Sequence, residues 1–217
     1  SIAAGGDHCL AVDRAGSVFA WGAGTLGQLG VGVAADQVLP VLVESLQGHR
    51  IVQAACGTTF SLCLSQPGVV YQAGWLGGDE PETNEDFEGV CEFSRVEELP
   101  REDHLRCGFV AAGATHAVAV CAPRTHVWPA FTVRELLAKM LRLATSMSGT
   151  EWDSQVFTWG RAHTVAPLPA PTRVEGLEGQ RVVSAAAGDD FTLLATAEGR
   201  VLGYGRAAHG QLATGYF

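Results

Sequence analysis

The sequence predicts an all-β fold built from repeated antiparallel sheets, and three observations predict it. The first is a pair of apolar, alternating runs, Ile2–Val12 and Ser17–Trp21, on either side of a turn that ends at Gly16. Such alternation is typical of strands, and a glycine between two strands is typical of a hairpin. The second is composition: 27 glycines and 47% hydrophobic residues suit a chain rich in sheets and tight turns. The third is that the pattern occurs four times.

The four copies share fixed spacings. Each begins with a glycine that is followed three residues later by a histidine or phenylalanine, at Gly5 and His8, Gly57 and Phe60, Gly113 and His116, and Gly188 and Phe191. The hairpin glycine recurs at Gly16, Gly68 and Gly199. Without insertions the repeat is about fifty residues long, which is typical of solenoids and propellers. Four strands and glycine turns per repeat favour a propeller blade.

These motifs resemble the repeats of the RCC1 (regulator of chromosome condensation) family. The Ala-Ala-Gly-x-x-His/Phe starts carry the resemblance, together with Gly16–Gly22 and Gly24–Gly32. It covers residues 1–217 except for two insertions, and it implies a seven-bladed β-propeller of which four blades are visible. We therefore expect the remaining propeller blades, from the same or a separate chain, or a covering partner, at the two outer faces.

Residues 79–103 are the first predicted insertion, an acidic loop within the second repeat. They contain eleven acidic residues and two arginines, so their net charge of −9 equals that of the whole chain. Charge and proline argue against a strand and favour an exposed loop. The loop is either a solvated insertion or an acidic patch for a basic partner, such as a histone tail or the basic rim of a small GTPase. The candidate partner-binding residues are Asp79, Glu80, Glu82, Glu85, Asp86 and Glu88.

Residues 123–154 are the second predicted insertion, within the hairpin of the third repeat. Thr132 and Glu135 form a capping-box pattern, and apolar residues follow at the spacing of one helical face, which predicts one amphipathic helix over 132–147. The helix either covers a hydrophobic edge of the propeller or docks on a partner. The candidate partner-binding residues are Arg134, Leu137, Lys139, Leu141 and Arg142.

The six cysteines lack Cys-x-x-Cys spacing. A zinc site usually has closely paired ligands, so we expect no metal. We expect buried free thiols, which behave as small hydrophobic residues, and therefore an intracellular, reducing compartment such as the cytoplasm or nucleus, without excluding an organelle.

Motifs for catalysis or cofactor binding are absent from the sequence. There is no Gly-x-Ser-x-Gly elbow, phosphate-binding loop or His-Glu-x-x-His pattern. His8 and His116 share a repeat position with phenylalanines, and Trp21 and Trp159 share one with Tyr204, so we interpret all four as packing residues. We expect no cofactor. Outside 79–103 the charge is balanced, which disfavours direct nucleic-acid binding, and no apolar run is long enough to span a membrane.

Two functional hypotheses remain. The first is a non-catalytic scaffold for protein–protein interaction, whose insertions select partners. The second is a guanine-nucleotide exchange factor for a small GTPase, the activity that the resemblance implies through the family's founding member, which acts on Ran. In that founding member, a propeller element wedges against the nucleotide site of the GTPase. In this chain, residues 123–154 contain the candidate wedge. Because a shared fold does not carry function, the scaffold is the favoured hypothesis.

Overall fold

The computed structural model describes residues 1–76, 90–100, 105–123, 154–161 and 167–212. These residues form four antiparallel sheets, each a blade in chain order, which confirms the predicted all-β repeat architecture. Blade 1 comprises β1 (Ile2–Ala4), β2 (His8–Val12), β3 (Val18–Gly22) and β4 (Gln37–Leu42). Blade 2 comprises β5 (Ile51–Cys56), β6 (Phe60–Ser65), β7 (Val70–Gly74) and β8 (Val90–Arg95). Blade 3 comprises β9 (Leu105–Ala112), β10 (His116–Pro123), β11 (Gln155–Gly160) and β12 (Leu168–Arg173). Blade 4 comprises β13 (Val182–Ala187), β14 (Phe191–Thr196) and β15 (Val201–Gly205).

Glycine sets the tight hairpins between the second and third strands of the blades. In blade 1 the register pairs Val12 with Val18, and Gly16 completes the turn at φ +94°. Gly68 and Gly199 adopt the same left-handed conformation at φ +89° and +80°. A side chain at such a position would be strained. The recurring spacing of these glycines therefore reflects the positive φ that each hairpin turn requires.

The meander gives each blade two distinct ends. The glycine-turn end holds the turns before the second strands, Gly5–Asp7, Gly57–Thr59, Gly113–Thr115 and Gly188–Asp190, and the loops after the third strands. The hairpin end holds the turns between second and third strands, such as Asp13–Ser17, and the connections from one blade to the next. A 3₁₀ turn at Glu44–Leu46 lies in the connection from blade 1 to blade 2.

The hydrophobic core lies between blades. One cluster joins blades 1 and 2 through residues such as Leu10, Val18 and Ile51. A second joins blades 2 and 3 around Phe60 and Val110, and a third packs Val118 and Val156 of blade 3 against blade 4. Successive first strands contact one another, β1 with β5, β5 with β9 and β9 with β13. The blades are therefore stacked side by side, as in a propeller.

The predicted insertions lie mostly outside the described residues. Within the acidic segment 79–103, Val90–Arg95 forms β8, the outer strand of blade 2, and pairs with β7. This strand retains the charged Glu92, which is exposed while Phe93 is buried. The helix predicted over 132–147 falls within 124–153, outside the described residues.

The cysteines differ in part from the prediction of buried free thiols. Cys56 and Cys63 are free and buried, as predicted, whereas Cys9 and Cys91 are free and only partly buried. Cys107 and Cys121 form a disulfide, so the prediction was wrong for this pair. The reason is their register: they are direct partners on the neighbouring strands β9 and β10. Their separation of 14 residues along the chain gave no sign of this pairing.

The described part of the chain contains no helix that is long and apolar enough to cross a membrane.

Candidate functional site

The glycine turns connect neighbouring blades directly. The amide of Gly6 donates to the carbonyl of Gly57 at 3.2 Å, and the amide of Ala114 donates to the carbonyl of Gly188 at 3.2 Å. Between them, the amide of Thr58 donates to the carbonyl of Ala114 at 3.0 Å. This backbone contact recurs at each of the three interfaces, which places the turns of four successive blades side by side at one end of the molecule.

His8 lies at the interface between blades 1 and 2 and is 2% exposed. Its Nε2 is 2.8 Å from Oγ of Ser61, and that hydroxyl is also 2.8 Å from the carbonyl of Gln28. Since the hydroxyl donates to the carbonyl, Nε2–H of His8 donates to the hydroxyl. Burial lowers the pKa of His8 from 6.5 to about 4, so the ring is neutral at pH 7.

The other two interfaces use the same positions with different residues. His116 of blade 3 is fully buried, and its Nε2 lies 2.9 Å from Oγ1 of Thr192 in blade 4. Between blades 2 and 3 the corresponding residues are Phe60 and Ala117, both fully buried in one cluster. The histidines therefore serve packing and inter-blade hydrogen bonding, in agreement with their interpretation as packing residues.

The two tryptophans predicted to pack differ in burial. Trp159 is 3% exposed, and its Nε1 donates to Oε1 of Gln72 in the preceding blade at 2.7 Å. Trp21 occupies the same position in blade 1 but is only partly buried. The difference follows from position, because the side of blade 1 that carries Trp21 faces away from blade 2.

The two insertions leave the blades at opposite ends. The segment 77–89 runs from the end of β7 to the start of β8 at the glycine-turn end. The segment 124–153 runs from the end of β10 to the start of β11 at the hairpin end, beside Leu105, the register partner of Pro123. The predicted partner-binding residues all lie outside the described residues, in these two segments, and their roles remain predictions.

A cavity of about 440 Å³ opens at the hairpin end of blade 1. Its walls are the hairpin around Gly16 and the connection around the 3₁₀ turn, with polar side chains from Ser17, Gln47, His49 and Arg50. Nδ1 of His49 lies 3.0 Å from the hydroxyl of Tyr71, and this hydrogen bond holds the His49 side chain in place at the cavity wall. No cluster of three or more potential metal ligands occurs in the described ranges.

Sequence reasoning missed the hydroxyl partners Ser61 and Thr192. Each follows the ring residue of its own blade, at the position that Ala117 occupies in blade 3. The pattern was visible in the sequence as two hydroxyl residues and two small ones, Cys9 and Ala117, in one repeat position. The role of this position is evident only from the structure, in which Ser61 and Thr192 each face the histidine of the preceding blade.

Family models identify the repeats independently. A model described as "Regulator of chromosome condensation (RCC1) repeat" matches residues 15–64. A second model with the same description matches residues 1–28 and 182–211. These ranges contain the glycine turns of blades 1, 2 and 4 and the hairpins of blades 1 and 4.

Similar proteins are much longer than this chain. The E3 ubiquitin-protein ligase HERC2 of Homo sapiens is 29% identical over 224 residues, covering 99% of this chain and 4% of that protein. The secretion-regulating guanine nucleotide exchange factor of Mus musculus is 29% identical over 228 residues, covering 99% of this chain and 42% of that protein. The crystal structure of human WBSCR16 matches with a TM-score of 0.71 at 18% identity, covering all of this chain and 50% of that chain. At that identity the structural match shows the fold alone.

Proposed function

Because this chain belongs to the RCC1 repeat family, we propose that it is a non-catalytic scaffold for protein–protein interaction, whose two insertions select its partners. The blades supply a packed platform, and the insertions supply surfaces that the repeat itself does not specify. The observation that supports the proposal is that the strands flanking 77–89 and those flanking 124–153 end at opposite ends of neighbouring blades. Partners at the two ends would not compete for one surface.

The chemistry of the blade interfaces supports a non-catalytic role for the two interface histidines. Histidine is suited to proton transfer near neutral pH, but His8 and His116 are both buried and hydrogen-bonded to a hydroxyl of the next blade. A general base must reach the proton that it abstracts in a bound substrate, and these rings face protein on both sides. Their polar atoms serve blade packing instead.

A test is a pull-down with the intact protein and with variants that lack 79–89 or 124–153. We expect each deletion to remove its own set of partners and to leave the other set bound, since the segments leave from opposite ends. Within the second segment, the pair Leu137→Asp and Leu141→Asp tests the predicted helix. Loss of binding with unchanged thermal stability indicates a docking surface, whereas loss of stability alone indicates a helix that packs on the blades. Unchanged binding in every variant would contradict the scaffold proposal.

The second candidate function is guanine-nucleotide exchange on a small GTPase. It is favoured by the match to the secretion-regulating exchange factor, which covers 99% of this chain. The assay measures release of a fluorescent nucleotide from a panel of small GTPases upon addition of the intact protein. Accelerated release that is lost on deletion of 124–153 would replace the scaffold proposal with this one. Accelerated release that persists in that variant would place the activity on the blades themselves.

A further inference from the structure

The cavity at the hairpin end of blade 1 carries a cation and polar groups that the scaffold proposal does not use. The residues that line it lie within 15–18 and 42–50, so it is separate from both insertions. Arg50 supplies a guanidinium, and Ser17 and Gln47 supply a hydroxyl and an amide. This lining, which belongs entirely to the described part of the chain, contains no acidic residue. A cavity with a cation and no carboxylate of its own favours an anionic ligand.

Arg50 occupies the same repeat position as an arginine of blade 4. It directly precedes β5, the first strand of blade 2, as Arg181 directly precedes β13, the first strand of blade 4. The carbonyl of Arg50 accepts from the amide of Gln66 at 2.8 Å, and the carbonyl of Arg181 accepts from the amide of Ala197 at 2.8 Å. Gln66 and Ala197 each follow the second strand of their blade, so the two arginines are equivalent.

The two arginines differ in their side-chain partners. Nε of Arg181 donates to Oε1 of Glu198, which lies in the hairpin of the same blade. Glu198 directly precedes the turn glycine, and in blade 2 that position holds Pro67. Within the described ranges, the guanidinium of Arg50 forms neither an ion pair nor a hydrogen bond. Blade 4 therefore shows that this repeat position binds a carboxylate, and blade 2 leaves its arginine open to one.

Packing holds the stem of Arg50 beside the cavity. A Cβ atom at Gly16 would lie 2.8 Å from Cγ of Arg50, so this methylene packs on the hairpin of blade 1. The adjacent amide of Ile51 donates to the carbonyl of Gly16 at 3.2 Å. Arg50 as a whole remains exposed, so its guanidinium is accessible while its stem is held.

The acids of the surrounding segments do not neutralise this arginine. Asp13 and Glu44 are the acidic residues of 13–18 and 42–50, and neither lines the cavity. Oδ1 of Asp13 instead accepts from the amides of Gly16 and Ser17 at 2.8 and 2.9 Å, which holds that carboxylate within the hairpin. The charge of Arg50 is therefore available to a ligand.

Another part of the lining is apolar. Val43 and Leu46 are 1% and 3% exposed, and Leu42 is only partly buried. The volume of about 440 Å³ lies in the range of pockets that hold small organic molecules. A ligand that uses both parts of the lining carries a carboxylate and a short aliphatic group.

We propose that this cavity binds a small aliphatic carboxylic acid in its ionised form. The guanidinium of Arg50 donates charge-assisted hydrogen bonds to the carboxylate, as Arg181 does to Glu198. The aliphatic group lies against Leu42. The site uses neither insertion, so its failure and the failure of the scaffold proposal are separate outcomes.

The first test titrates 4-methylpentanoate into the intact protein with ¹³C-labelled leucine and valine methyl groups. We expect saturable shifts of the Leu42 and Leu46 resonances. The matched ligand control, 4-methylpentanamide, has the same shape without the charge and should bind about tenfold more weakly. Inorganic phosphate should also bind more weakly, since it has no aliphatic group. Equal affinity for the amide, tighter binding of phosphate, or no saturable shift would overturn the proposal.

The second test changes the arginine and its surroundings. We expect Arg50→Gln to weaken binding of 4-methylpentanoate by about tenfold. Arg14→Gln is the matched control, because Arg14 is an exposed arginine of the same hairpin that does not line the cavity. Equal weakening in these two variants would show that the ligand responds to net charge and that Arg50 does not bind it.

A third variant gives blade 2 the acid that blade 4 has. Pro67→Glu places a carboxylate at the position of Glu198, where it should pair with Arg50 and compete with the ligand. Pro67→Gln is the neutral control and should bind 4-methylpentanoate as the wild type does. Methyl spectra recorded without ligand check that each variant is folded. If Pro67→Glu and Pro67→Gln bind equally well, Arg50 is not the anchor and the proposal is wrong.

Discussion

His8 illustrates how a titratable residue can serve packing in this fold. Its neutral ring donates to Ser61, and burial holds its pKa at about 4, against 6.5 in the unfolded chain. As the pH falls below 6.5 the unfolded chain takes up a proton that the folded chain does not. The free energy of unfolding therefore decreases between about pH 6.5 and pH 4, and the loss is on the order of 3 kcal/mol.

The prediction is tested with the double variant His8→Phe and Ser61→Ala, which copies the native pair Phe60 and Ala117. We expect urea denaturation at pH 7, 5 and 4 to show a smaller loss of stability in the variant than in the wild type. Other titrating groups are common to both proteins, so their effects cancel in the comparison. Equal losses in the two proteins would show that His8 is not the group responsible.

The disulfide gives a second prediction at the scale of residues. Cys107 and Cys121 lie in one tryptic peptide, 107–124, because no lysine or arginine separates them. When free thiols are alkylated in denaturant before digestion, we expect this peptide to carry no alkyl group and to be two hydrogens lighter than its reduced form. Cys56 serves as the control, since it is free and must be alkylated. Alkylation of both Cys107 and Cys121 would contradict the pairing.

At the scale of elements, the glycine turns control how closely blades approach. A Cβ atom at Gly5 would lie 2.1 Å from the carbonyl oxygen of Gly57 and 2.7 Å from Cε1 of His8. The first contact is with backbone, which a rotamer change cannot relieve. We expect Gly5→Ala to destabilise the protein by about 3 kcal/mol, since the two turns must separate.

Gly179→Ala is the matched control for that change. Gly179 has φ +70° and nothing within 4 Å of a Cβ, so alanine there is strained without any inter-blade clash. We expect it to cost about 1 kcal/mol, measured for both variants by urea denaturation. If the two substitutions cost the same, the contact between the turns does not limit the approach of the blades.

The strands could be predicted from sequence where the four copies share the repeat pattern, and they were predicted less well elsewhere. Alternating apolar residues and positive-φ glycines are local requirements, so β2, β3 and their equivalents in the other blades followed from spacing alone. β8 was harder, because Glu92 and the neighbouring charges made a strand look like an acidic loop. The hydroxyl partners and the disulfide depend on which residues meet across strands or blades, and spacing along the chain does not encode that directly.

At the scale of the whole molecule, the chain's net charge is concentrated in one place. The described blades place the start of 77–89 at the glycine-turn end, after Leu76, and its return at Val90. Six carboxylates lie within that segment, at Asp79, Glu80, Glu82, Glu85, Asp86 and Glu88. If they select a basic partner, binding depends on ionic strength, since salt screens charges on exposed surfaces.

The last prediction follows from that dependence. We expect the intact protein to bind a lysine- and arginine-rich histone-tail peptide, and to lose about tenfold in affinity between low and physiological salt. Replacing the six carboxylates by the corresponding amides should weaken binding at low salt and flatten its dependence on salt. The control replaces Glu175 and Glu178, exposed acids in the connection between blades 3 and 4, by glutamine. If the control weakens binding as much per carboxylate removed as the amide variant does, the attraction comes from net charge and the segment does not select the partner.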